Sequence, residues 1–126
     1  MSRFCLVMLQ TPLVAQDLAQ TVEDLIGCEP LLAATVEDAT ARLAGLEPGT
    51  LPCAFLQTDA ASLRTSPLLA ELRRLGGQPV LLGHAAEMEA ARGEGSDDWP
   101  VLAQPFGAAQ VAALLEGLSP PLAASG

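Results

Sequence analysis

The chain has 126 residues, half of them apolar, and its 15 acidic residues against 6 basic ones leave a formal charge of −9. That length is close to the modal single domain of roughly 100–150 residues, so one acidic domain with a core of its own is expected, without need of disulfides or metals and without disorder. The excess negative charge repels phosphate backbones and anionic lipid, and Arg3, Arg42, Arg64, Arg73, Arg74 and Arg92 form no basic stripe, which excludes direct nucleic-acid binding and a membrane-surface role; the complete lack of lysine excludes Schiff-base and phosphate-gripping lysine chemistry.

In chain order, Phe4–Leu9 is a continuous apolar run of the kind found in a strand covered on both faces of a parallel sheet. Pro12 opens a helix in which Leu13, Val14, Leu18, Val22, Leu25 and Ile26 recur at helical spacing, and Gly27 stops it. Pro30–Ala34 is a short apolar run. Thr35-Val36-Glu37-Asp38 resembles a capping box and starts a helix through Leu43, ended by Gly45. Leu46–Thr50 reads as a turn, Cys53–Leu56 as a strand, and Thr58–Thr65 as a polar loop. Ser66-Pro67 is an N-cap with proline at the first helical position, leading into Leu68–Leu75, which Gly76-Gly77 ends.

Pro79–Leu82 is a further buried strand, Ala85–Ala91 a short and weakly amphipathic helix, and Gly93–Asp98 an acidic loop closed by Trp99-Pro100. Val101–Ala103 is a last short strand, and Phe106–Leu118 a helix whose inner face carries Val111, Leu114, Leu115 and Leu118. Residues 1–118 thus form one domain, and residues 119–126, with Pro120-Pro121, a flexible tail. Strand and helix segments alternate throughout, which implies an α/β fold: a doubly wound parallel sheet with helices on both faces, whose site lies outside the carboxyl ends of the strands, after Leu9, Leu56, Leu82 and Ala103.

Cys5, Cys28 and Cys53 are too widely spaced for a redox or zinc motif and are expected as buried core thiols. The run after Arg3 is too short for a secretory signal, and no stretch reaches the roughly 18 apolar residues of a membrane span, so a soluble, cytoplasmic protein is expected. A Gly-rich phosphate loop and a G-x-S-x-G elbow are both absent. Enzymatic readings lack their residues, and no cofactor or metal is expected.

At the strand ends the chain resembles a response-regulator receiver domain, the flavodoxin-like phosphoacceptor module of two-component signalling, over nearly all of Phe4–Leu118. The framework Met8-Leu9-Gln10-Thr11-Pro12 and the tripeptide Gln104-Pro105-Phe106 before the last helix carry the likeness. The resemblance implies the strand order 2-1-3-4-5. It also implies that Leu9 and Gln10 stand where the family has its metal-binding acids. Gln57 then stands at the phosphoacceptor Asp, His84 at the switch Thr or Ser, and Gln104 at the Lys. Receiver chemistry needs a carboxylate nucleophile, a magnesium ion held by carboxylates and a Lys, and amides replace none of them, so a degenerate receiver, or pseudo-receiver, is expected. Asp59 is read as a loop residue making an Asx-type turn, and His84 as a partly exposed strand-end residue with a structural hydrogen bond.

The family's interaction surface, its fourth helix, fifth strand and fifth helix, corresponds to about Ala85–Leu118. Glu87, Glu89, Glu94, Asp97 and Asp98 there, against Arg92 as the one cation, are expected to form an acidic patch that attracts a basic partner surface, with Trp99, Val101 and Phe106 beside it and Trp99 either a core lid or an interface anchor. The leading expectation is a phosphorylation-independent signalling or transcription-control module acting by homodimerisation or by docking a partner protein. The alternatives are the N-terminal receiver-like domain of a larger activator, and a small-molecule sensor that uses the neutral pocket of Gln10, Gln57, His84 and Gln104.

Overall fold

The apolar runs become five short parallel strands: β1 (Phe4–Met8), β2 (Glu29–Ala33), β3 (Cys53–Gln57), β4 (Gln78–Leu82) and β5 (Val101–Leu102). The computed structural model describes residues 3–93, 99–103 and 106–118. The strands form one sheet in the order β2-β1-β3-β4-β5, the flavodoxin-like, doubly wound arrangement expected. Between them run α1 (Pro12–Ile26), α2 (Val36–Leu43), α3 (Ala60–Arg64), α4 (Pro67–Leu75) and α5 (His84–Ala91), and α6 (Ala108–Leu118) follows β5. No helix among the described residues is long and apolar enough to cross a membrane.

Local chemistry sets the helix ends. The Thr35 hydroxyl accepts from the Asp38 amide at 3.1 Å and the Ser66 hydroxyl from the Leu68 amide at 3.1 Å, while Pro12 and Pro67 occupy first-turn positions where an amide proton has no partner to lose. Gly27 and Gly76 end α1 and α4 at φ of 69° and 78°, a left-handed conformation that costs other residues dearly. The end of α2 and the turn after it are tied from a distance: the Arg74 guanidinium donates to Leu43 O at 3.0 Å and to Leu46 O at 2.9 Å. Because Arg74 is exposed, Arg74→Ala is expected to lower stability by only about 1 kcal/mol, read by urea denaturation.

Alternation along the strands divides the core between the two sheet faces. Cys5, Val7, Phe55, Val80 and Leu82 pack under α1 and α6, through Leu18, Val22, Val111 and Leu115. Leu6, Met8, Ala54, Leu56 and Leu81 face the opposite layer, which α2, α3, α4 and α5 cover with Leu43, Leu63, Leu72 and Ala86.

Two expectations are corrected. Residues 58–65 are not a loop throughout, because α3 forms within them. Asp59 caps it by accepting from the Ser62 amide at 2.8 Å, and buried Ala60 and Leu63 anchor it to the core. The last helix begins at Ala108 rather than Phe106, since the Gly107 amide is taken by the Gln110 side chain and Phe106 packs against the core ahead of the helix. The tail at 119–126 lies outside the described residues.

All three cysteines are free and buried. Cys5 and Cys53 sit opposite each other on β1 and β3, their sulfurs 3.5 Å apart. The Cys53 thiol contact and then burial hold the Cys5 thiol well above its usual 9.0, and burial raises Cys28. A raised folded-state value means full stability below the unfolded thiol's pKa, lost as pH rises from there through the folded one. The protein is therefore expected to lose stability above about pH 9, measured by thermal melts across alkaline pH, and Cys5→Ala/Cys53→Ala is expected to flatten that loss.

Candidate functional site

The carboxyl ends of β1 and β3, where the strand order reverses, meet at a cavity of about 260 Å³. Gln10, Thr35, Glu37, Gln57 and Thr58 bring polar groups to its wall, and Met8 and Val36 bring apolar ones. Gln57 ends β3, and its Oε1 accepts the Gln10 backbone amide at 2.7 Å. One neutral side chain thus ties the β1–α1 connection to the end of the neighbouring strand. The Gln10 side chain is exposed, whereas Leu9 is buried in the layer under α1 and offers the cavity no oxygen.

His84 opens α5 with its side chain exposed, and the structural hydrogen bond expected of it is not found among the described residues. Gly83, the residue before it, stands beside Gln57. Its φ of +100° is open to glycine and little else, and a Cβ built there would lie 2.9 Å from Gln57 Cγ. Assigning the site by chemically active residue types passes over a position whose importance is the lack of a side chain. Gln104 lies outside the described residues.

Asp59 is occupied as the α3 cap. Hydrogen bonding from Ser62, the side chain first and then the amide, holds its carboxyl below the ordinary carboxylate range. A depressed value makes this contribution to stability fully present above the unfolded carboxyl's pKa and lost as pH falls through the folded one.

The acidic patch is also corrected. Glu89 is 5 % exposed, and its carboxylate accepts the Ala60 amide at 2.8 Å and the Ala61 amide at 3.2 Å, so α5 reaches back to hold the first turn of α3. Negative charge at a helix start satisfies orphan amides and the helix dipole together, which is why this acid is drawn inward. Glu87 is half-buried, and Glu94, Asp97 and Asp98 lie outside the described residues.

Trp99 and Val101 are half-buried against the layer of α2–α5, with the Arg64 guanidinium 5.7 Å from the Trp99 ring centre, whereas Phe106 packs on the opposite layer. Those three residues therefore lean on two different cores rather than forming one patch.

A magnesium ion, which the receiver resemblance implies, does not fit these residues. Leu9 is apolar, Gln10 and Gln57 are neutral, the Gln57 oxygen is already engaged, and no group of three metal-ligating side chains occurs among the described residues.

No family model and no curated protein matches the chain. Solved structures do. A response regulator receiver protein from Sinorhizobium medicae is 18% identical, with 93% of this chain and 94% of that one covered at a TM-score of 0.66. A protein of Burkholderia pseudomallei designated pilus assembly-related is 18% identical over 94% of this chain and 90% of that one, at 0.62. A response regulator from Colwellia psychrerythraea is 16% identical over 95% and 98%, at 0.55. Across nearly its whole length, the chain has the fold of a receiver domain.

Proposed function

We propose that this chain is a receiver-fold signalling or transcription-control module that works without phosphorylation and acts through contact with a second copy or a partner protein, not as an enzyme. The observation that carries the reading is the Gln57–Gln10 tie: at the strand end where the resemblance requires an ionised nucleophile, an amide oxygen is already engaged as an acceptor at 2.7 Å. An amide neither attacks phosphorus readily nor holds a hard cation by charge. The fold then serves to present surfaces, with the β1–α1 and β3 ends held in one arrangement.

The test is titration of the full chain with Mg²⁺ and beryllofluoride, followed by NMR, with the mass in solution measured alongside. Unchanged amide shifts at Gln10, Gln57 and Asp59 are expected. Saturable, metal-dependent shifts at Gln57 or Asp59 would overturn the reading and restore phosphoryl chemistry.

The strand-end cavity supports a second reading, a sensor of an uncharged small molecule, since Gln10, Gln57, Thr35 and Thr58 supply hydrogen-bonding groups around about 260 Å³. A ligand-dependent rise in melting temperature, abolished in Gln57→Leu, is the result expected of it.

A further inference from the structure

We propose that the strand-end cavity and the cleft next to it form one two-part site for a small uncharged amphiphile: a molecule with a neutral hydrogen-bonding head and a short branched or cyclic apolar tail. The inference rests on the small-molecule reading above and names the ligand class for it. β1 is flanked by β2 on one side and by β3 on the other, so its carboxyl end has a crevice to either side. Over β1 and β3 lies the polar cavity of about 260 Å³. Over β1 and β2 lies a cleft of about 180 Å³, walled by Leu9, Pro12, Ala15, Leu32 and Ala33. Gln10 and Ala34 line both. Together the two spaces fall within the roughly 300–1,000 Å³ of small-molecule sites, which neither reaches alone.

The two parts differ in chemistry. Buried Leu9, Ala15 and Ala33 close the floor of the cleft, and the small side chains of Ala15, Ala33 and Ala34 leave the room in it. An apolar cavity of roughly 150 Å³ takes a benzene ring, so the cleft is large enough for a tail of about five or six carbons. Its acid, Asp38, is paired with Arg42 at 3.6 Å, so nothing in the cleft selects a charged ligand. In the polar cavity the Gln57 oxygen is taken by the Gln10 backbone amide, while the Gln57 NH2 group and the Gln10 side-chain amide have no partner among the described residues. The Thr35 hydroxyl accepts the Asp38 amide and keeps its own proton to donate, and the Thr58 hydroxyl oxygen can accept. Neutral donors and acceptors of this kind suit a carboxamide or an alcohol. Glu37 is the ionisable residue on that wall; it is exposed and screened by water, but a carboxylate head would meet it, and a chain of charge −9, unfavourably.

The probes are 4-methylpentanamide, which has both head and tail, and acetamide, which has the head alone, each titrated into the isotope-labelled full chain and followed by NMR. 4-Methylpentanoate and 4-methylpentylammonium test the charge of the head. 4-Methylpentanamide is expected to shift the amides of Ala15, Leu32 and Ala33 together with those of Gln57 and Thr58. It is also expected to bind about tenfold or more tighter than acetamide, since each further carbon taken out of water strengthens binding. Ala34→Leu, which fills the junction from an exposed position, and Thr58→Val, which keeps the shape but removes a hydroxyl, are each expected to weaken 4-methylpentanamide several-fold. The two variants check one another if either perturbs folding. Equal affinities for the two amides, with shifts confined to Gln10, Gln57 and Thr58, would overturn the two-part site and leave the small-molecule reading standing. No shift with either amide would overturn both. Tighter binding of the carboxylate or the ammonium than of the amide would overturn the neutral head, and wild-type affinity in both variants, or shifts confined to α5 and α6, would overturn the placement.

Discussion

Glu89→Ala is expected to lower the unfolding free energy by about 2–4 kcal/mol, several times the cost of removing an exposed acid. The substitution strips the partner from the Ala60 and Ala61 amides, the first of them fully buried, and opens space between α5 and α3. Each orphaned buried amide costs about 1–3 kcal/mol, and α3 is too short to hold its first turn without outside help. Glu89→Gln keeps one acceptor oxygen and turns an NH2 group toward the other amide, so a loss between wild type and Glu89→Ala is expected. Urea denaturation reads both variants as a shift in midpoint at nearly constant slope, and hydrogen exchange should rise first at Ala60–Leu63. A loss below about 0.5 kcal/mol for Glu89→Ala would place the side chain at the surface.

Gly83→Ala is the second large effect, at about 2–4 kcal/mol. The residue has φ 100° and ψ 171°, a region that costs other residues about 1–3 kcal/mol, and its new methyl would lie 2.9 Å from Gln57 Cγ. The Gln57 side chain can swing away, but only by giving up the Gln10 amide. Faster exchange of the Gln10 amide should therefore accompany the drop in stability. In the double variant Gly83→Ala/Gln57→Ala the steric part is relieved while the backbone strain stays, so its cost is expected to fall short of the sum of the single losses. Additive losses would mean that Gly83 and Gln57 act independently.

Both effects depend on contacts between segments distant in the chain. Glu89 sits in a helix whose polar and apolar residues show little periodicity, so nothing local distinguishes an inward acid from a solvated one. Its partner amides lie 28 and 29 residues earlier in the chain. α3 was hidden by the same dependence: Ala60–Arg64 is one short turn with weak periodicity, stable because Asp59 caps it and Glu89 holds it from α5. At the strand end, the resemblance sets His84 at the switch position, whereas only the fold shows that Gly83, between β4 and α5, stands beside Gln57.

What the sequence by itself determined is the alternating order of elements and most of their ends. Those depend on interactions within a few residues: apolar runs that demand burial on both faces, Thr35 and Ser66 accepting from amides two or three residues on, and Gly27 and Gly76 adopting a left-handed turn. Alternating strands and helices then leave few topologies open, and the sheet order β2-β1-β3-β4-β5 is one of them. That neutral Gln10 and Gln57 stand at the strand ends was equally legible, because it is a matter of residue type. Only the tertiary structure decided that Gln57 reaches across to the Gln10 amide and that Glu89 is buried. Those facts turn on which side chains of distant segments come within hydrogen-bonding or van der Waals reach, and the packing of the layers sets that geometry.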